Sequence, residues 1–302
     1  MNGKIANFAQ VASLRRYTMA NGREKGLDVI DCDNGKIRFL LNVSKALDMM
    51  QLYHEGQNMS FLSKNAFTAR EIGFLNRFEG GMIYTCGLDS VGGREGFELH
   101  GSFHNSTAEV VETRCDEQGI KVVAHIRNTA LFGQNLLLKR TVFSAVGAEV
   151  VEICDELVNL GFSVADYCLL YHINVGYPML DEGARVVADV EECTPRTAWS
   201  KKNQALRACV GADVVGEEET CYFLKLKDAK VSLVNDKLGK AFTVEYSKET
   251  LPYFVQWKSM ASGDYAIGLE PCTTELDDRF AYRALQPNES VQFTLRLTVN
   301  KI

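Results

Sequence analysis

Two ionisable side chains lie where the surrounding sequence is strongly apolar. His172 sits in LLYHINVGYP, at the end of a strand-like run followed by Gly176 and Pro178, and Glu270 closes the run DYAIGLE immediately before Pro271. A carboxylate in such a place is costly unless a partner or a ligand hydroxyl satisfies it. Histidine titrates near neutrality unaided, and a glutamate does so once burial raises its pKa. Together the two could take a proton from one atom of a bound molecule and give one to another. Taken singly, each also fits a structural role, His172 as a hydrogen-bonded core imidazole and Glu270 in a salt bridge to Arg or Lys.

The chain has five histidines, at 54, 100, 104, 125 and 172. His125 falls inside the alternating run VVAHIRN and His54 falls in a loop beside Glu55. His100 and His104 flank a turn in ELHGSFHN, where Gly101 removes side-chain bulk and lets a ligand or another strand approach the backbone. His54, His100 and His104 with a carboxylate would suit a divalent metal, as in cupin-type sugar isomerases. Against that, the HxxxH spacing spans a turn rather than a helix or a regular strand.

The elements that must position these groups are strands. Period-two runs recur along the chain: KIRFLLNV, IKVVAHIR, NLLLKRTVFS, AEVVEICDELVN, DYCLLYHINV, ARVVADVEE, CYFLKLK, AKVSLVN, AFTVEYS, PYFVQWKSM, YAIGLE and SVQFTLRLTV. Each is of strand length, rich in Val, Ile, Phe, Tyr and Thr, and bounded by turn residues. Only SKALDMMQLYHEG and SKNAFTAREIGFLNRFEGG could hold a short helix or loop. The pattern predicts an all-β protein, one large antiparallel sandwich spanning residues 1–302 without a linker. Residues 54–80 and 86–107 break the rhythm and gather Gly, His, Arg and acids in loops, the usual place for binding chemistry.

Composition excludes several classes. The chain has 302 residues, 46% hydrophobic and 24% charged, and reads as a soluble globular protein. A net charge of −6 argues against nucleic-acid binding, which needs a basic face. The N-terminal MNGKIANFAQVASLRR lacks the apolar run of a signal peptide, and no stretch approaches the roughly 20 apolar residues that span a bilayer. A cytoplasmic location and no membrane partner are expected. Nine cysteines, an odd number with no CxxC, suit reduced buried thiols better than disulfides or a zinc site.

The motifs NRFEGG, GG-x-x-x-TCGLD, LHG in ELHGSFHN, LLYHINVGYP and GLEP occur in one order from about residue 36 to the end. In combination they resemble the aldose 1-epimerase, or galactose mutarotase-like, superfamily, and more closely a divergent branch of sugar-epimerase homologues. The resemblance implies a β supersandwich with a sugar lying across an open cleft on one large sheet. It implies that Glu270 matches the base that deprotonates the anomeric hydroxyl and His172 the acid that protonates the ring oxygen. It assigns His100 to holding the sugar and Arg77 to the cleft edge; Cys86 and Asp89, in YTCGLDS, are placed near Arg77 by sequence and are expected to line the same cleft or merely to orient Arg77. The partner would be a small-molecule sugar, and the reaction needs neither cofactor nor metal.

Three further residues are expected in the same cleft: Arg196, after Pro195, and Trp257 with Lys258 at the end of PYFVQWK. Cationic heads hold hydroxyls or a phosphate, and an aromatic face stacks on a pyranose. The chain departs from the better-known pattern in having Ser102 after Gly101, Tyr171 before His172, and Lys45 where the divergent branch carries an arginine ahead of Asp48. The aspartate that grips sugar hydroxyls has no match, Arg196 standing in its stretch. A non-catalytic sugar-binding module is the competing reading, because fold alone does not settle function.

Overall fold

The computed structural model describes residues 3–302. Eleven of the twelve alternating runs each form one strand, because alternation lets one face of each enter a common core while the other meets solvent or a covering loop. An eight-stranded antiparallel sheet runs in the order Arg185–Val187, Lys230–Asn235, Lys240–Tyr246, Ser290–Lys301, Val150–Asn159, Asn135–Ser144, Gly119–Thr129 and Ala108–Asp116. A seven-stranded sheet runs Val190–Pro195, Thr220–Leu226, Tyr253–Ser259, Ala266–Cys272, Ala165–Val175 and Arg283–Leu285, with Ile83–Leu88 also pairing with Ala165–Val175. Ser13–Thr18, Asp28–Asp33, Ile37–Asn42, Asp48–His54 and Gln57–Asn58 make a third sheet, and Phe61–Leu62 pairs with Gly80–Gly81.

The main core lies between these sheets. Leu169, Tyr171, Ile173, Phe254 and Leu269 from the seven-stranded sheet share one cluster with Ile153, Phe242, Leu295 and Leu297 from the eight-stranded one. The run ARVVADVEE is not one strand but two: Arg185–Val187 joins the eight-stranded sheet and Val190–Pro195 the seven-stranded one, so the chain changes sheet there. Of the two segments with helical potential, the first becomes a turn leading into Asp48–His54, and the second holds only the single turn Phe74–Arg77. No helix is long and apolar enough to cross a membrane among the described residues. All nine cysteines are free; five are buried, while Cys154 and Cys209 are exposed, against the expectation for those two.

Beneath the seven-stranded sheet a polar network crosses the core. Arg140, 2% exposed, donates to Asp48, Asp155, Thr85 and the Ala46 carbonyl, and Tyr171 donates its hydroxyl to Asp155 at 2.6 Å. His104 lies between Asp48 (Nδ1, 2.6 Å) and Glu79 (Nε2, 2.9 Å). Burial works against charge on His104 and Asp48, but the ion pairs outweigh it, raising the histidine and lowering the aspartate. The cation expected beside Asp48 in sequence is supplied instead by Arg140 from another strand, while Lys45 turns to Asn105.

Candidate active site

Strand register brings His172 and Glu270 together. Leu170 pairs with Cys272 and Asn174 with Gly268, which places His172 opposite Glu270 at the middle of the interval. Pro271 has no N–H to give the ladder, and the pairing is interrupted there; the His172 carbonyl accepts from Asn174 Nδ2 at 2.9 Å instead. On its other side His172 pairs with Tyr84, and Glu270 pairs with Val255. Alternation turns His172, Glu270, Val255 and Trp257 to the same face, away from the core.

His172 Nε2 and Glu270 Oε1 are 3.3 Å apart. They are close without forming a hydrogen bond, which leaves Oε1 of Glu270 buried with no hydrogen-bond partner among the described residues, and Nδ1, on the far side of the His172 ring, is likewise buried without one. The two residues are 5% and 2% exposed, and they form the floor of a cavity of about 690 Å³. That volume falls within the roughly 300–1,000 Å³ usual for small-molecule sites. Its walls are Phe74, Leu75, Phe78 and His100 on one side, and Arg196, Glu219, Trp257 and Asp264 on the other. The His172 ring is edge-on to His100 at 5.4 Å between centroids and 5.5 Å from both Phe78 and Trp257.

Burial dominates the electrostatics. It pushes His172 down to about 3, with His100 adding to the shift and Asn174 opposing it. It pushes Glu270 well above the ordinary carboxylate range, with Glu219 adding and Arg196 opposing. Burial and then Arg196 bring His100 down to about 4. A pair holding either two protons or none would carry a net charge in a low-dielectric place. The one-proton pair is therefore favoured over a wide pH range, and it can give and accept a proton on neighbouring atoms.

Of the seven residues expected in the site, five line the cavity: His172, Glu270, His100, Arg196 and Trp257. Arg77 and Lys258 do not. Arg77 is 3% exposed, its guanidinium donating to Glu98, to the Ile72 carbonyl and to Tyr84. Lys258 follows Trp257 on a regular strand and so points to the opposite face, where its ammonium donates to the carbonyls of Leu206, Arg207 and Cys209. Asp89 does not orient Arg77; its carboxylate holds the turn after His100, accepting from Ser90, from the Ser102 amide and from the Ser102 hydroxyl. Ser102 thus has a use where the pattern has glycine. Gly101, with φ of +76°, is approached by backbone rather than ligand: a Cβ there would lie 2.4 Å from the Ser90 carbonyl.

The three histidines of the metal reading face different partners. His104 is held by Asp48 and Glu79, His54 lies 3.3 Å from Glu149, and only His100 reaches the cavity. No group of three or more His, Cys, Asp or Glu suited to a metal occurs among the described residues. Sequence reasoning missed Glu219, which accepts from Trp257 Nε1 at 2.7 Å and lies 3.9 Å from Arg196. It stands in GEEET, three glutamates in a row, and nothing in that run distinguishes it. Pairing of Cys221 with Trp257 selects it, because it sets the approach of the 217–219 segment to the indole.

Residues 24–299 match a family model described as a domain of unknown function, DUF4432. No curated protein matches the sequence. A Klebsiella pneumoniae protein described provisionally as an aldose 1-epimerase superposes with a TM-score of 0.86 at 19% identity, over 95% of this chain and 83% of that one. A galactose mutarotase-like protein from Clostridium acetobutylicum superposes at 0.73 and 15% identity, over 97% and 100% of the two chains. A galactose mutarotase-like protein from Lactobacillus casei gives 0.62 and 14%, over 90% and 100%. At these identities the likeness is one of fold, and the fold is the galactose mutarotase-like β-sandwich expected from the motifs.

Proposed function

The chain belongs to the DUF4432 family, whose description carries no activity, and from its site we propose that it is an aldose 1-epimerase that interconverts the anomers of a sugar. The observation that carries this reading is the buried pair of His172 and Glu270, 3.3 Å apart on the floor of a cavity large enough for a sugar, each with a polar atom that lacks a hydrogen-bond partner among the described residues.

Opening a hemiacetal requires one proton to leave O1 and one to reach the ring oxygen. The pair supplies both when its proton rests on His172 and Glu270 is ionised, a form that the approach of a sugar hydroxyl to Glu270 favours by donating to the carboxylate. Glu270 then takes the O1 proton as His172 protonates the ring oxygen, and the C1–ring oxygen bond breaks. Rotation about C1–C2 and closure on the other face return both protons and give the opposite anomer. The enzyme ends as it began. Trp257 offers an indole face to the sugar ring, while Glu219, His100 and Arg196 offer partners to its hydroxyls.

Polarimetry on freshly dissolved aldoses tests the reading. Approach to anomeric equilibrium is expected to speed up with the wild-type protein and to fall to the buffer rate with His172→Ala or Glu270→Ala. Full activity in either variant overturns the assignment. A non-catalytic sugar-binding module would raise the melting temperature with sugar by mass action yet leave the optical change at its buffer rate.

A further inference from the structure

The charged groups around the mouth of the cavity bear on which sugars it holds. Among the described residues that line it, two are cations, Lys64 and Arg196, and three rim carboxylates stand against them, Glu217, Glu219 and Asp264, with Glu270 on the floor. Neither cation is unengaged. Lys64 lies 2.7 Å from Asp264, and Arg196 lies 3.9 Å from Glu219, which is itself fixed by Trp257. Glu217 is half-buried and, among the described residues, forms no ion pair; Lys258 lies within its field but points away from the cavity, so the lining of the rim is itself one charge negative.

A phosphate or carboxylate is recognised by cations or by backbone amides at the start of a helix. Two short helices adjoin lining residues: Phe74–Arg77 is a single turn whose one cation, Arg77, is turned away to Glu98, and Ala198–Lys202, which begins two residues after Arg196, has its Ser200 amide already taken by the Thr197 hydroxyl. An anionic sugar would therefore have to draw Lys64 or Arg196 from its carboxylate and leave that carboxylate facing it. A neutral sugar meets no such penalty: hydroxyls donate to the rim carboxylates and accept from Arg196. An ammonium on the sugar meets Glu217 directly.

We infer, granting the anomer chemistry proposed above, that the substrates are aldoses without an anionic substituent, neutral sugars or amino sugars, and that the rim of Glu217, Glu219 and Asp264 turns away sugar phosphates and uronic acids. The selection is electrostatic and belongs to the mouth, whereas proton transfer belongs to the floor.

The test compares matched sugars: glucose and galactose, their 6-phosphates, their uronates, and glucosamine in its protonated form. Magnetisation exchange between anomers gives the catalysed rate after subtraction of each sugar's own buffer rate, and calorimetry gives binding. The expected result is at least a tenfold lower kcat/KM for the anionic member of each pair, with glucosamine no worse than glucose. Raising the salt concentration screens the rim and should narrow the gap, as should the double variant Glu217→Gln, Asp264→Asn, which releases Lys64. Equal or faster turnover of the phosphates overturns the inference. If no sugar is turned over, the epimerase reading fails by itself; calorimetry then decides the charge question, tighter binding of the neutral sugars upholding it and equal, reversed or undetectable binding overturning it.

Discussion

The carboxyl group of Glu270 lies over Gly268, so close that a Cβ on residue 268 would stand 2.0 Å from Oε1 and 3.2 Å from Cε1 of His172. The space a side chain would fill is occupied by the Glu270 carboxyl and bordered by the His172 ring. Because the clashing atom is the end of a flexible side chain, the strand can keep its pairing while the carboxyl swings away. Gly268→Ala is therefore expected to retain its circular dichroism spectrum and melting behaviour but to lose about 100-fold in kcat/KM, the scale associated with ångström misplacement of a reacting group. Unchanged turnover would show that the carboxyl position is unimportant.

Glu270 should weaken the fold it sits in. Its folded pKa is raised, so the folded state keeps a proton that the unfolded chain releases above the ordinary glutamate value. That contribution to stability is complete below about 4.3 and is lost as pH rises toward the folded value. Glu270→Gln removes the loss. At neutral pH the variant should be more stable by about 1–3 kcal/mol, since each pH unit between the unfolded and folded values costs about 1.4 kcal/mol, and inactive. Denaturant melts at pH 5 and pH 8 check the sign, the gap between variant and wild type widening at the higher pH.

The pH dependence of turnover should lack a histidine step. With His172 brought down to about 3 and Glu270 raised, the one-proton pair persists across neutrality. We expect kcat/KM to stay flat through pH 6.5 and to fall only on the alkaline side, as the pair loses its last proton. An inflection near 6.5 in the wild-type profile would contradict the depressed imidazole.

Adjacent residues should part company. Trp257→Ala removes a cavity wall and is expected to raise KM about tenfold or more, a loss of roughly 1–3 kcal/mol of stacking and packing. Lys258→Met, one position later, should leave KM unchanged and lower stability, because three carbonyls lose their donor. A KM effect at 258 would mean that the strand's alternation fails there.

The buried network should be structural. Arg140→Ala leaves Asp48 and Asp155 facing each other's field without their cation, and a loss of about 3–5 kcal/mol is expected in denaturant melts. A near-neutral effect would place compensating water in the network.

Strands showed themselves in the sequence where one face was buried and the other was not. Ile83–Leu88 escaped because it is buried on both faces, which erases alternation, and Ser13–Thr18 escaped because it is mostly exposed and polar. His172 and Glu270 were legible because a charged group in an apolar run is conspicuous. Lys258 was misread for a reason the sequence does contain: two consecutive strand residues cannot face one cavity, although only the fold says which of them does. Arg77 carried the right motif, but its destination depends on Glu98, a contact between two loops that no local pattern encodes.

That contact has a mechanical reading. Arg77, itself 3% exposed, bolts the segment carrying Phe74, Leu75 and Phe78 to the segment carrying Gly92, Gly93 and Leu99 through the part-exposed carboxylate of Glu98. Two stretches of chain that border the same cavity are thereby joined by a side-chain tie as well as by the backbone. Facing this joined edge are Trp257 and Asp264, and the Lys64–Asp264 ion pair at 2.7 Å ties the segment ahead of Phe74 to that opposite wall.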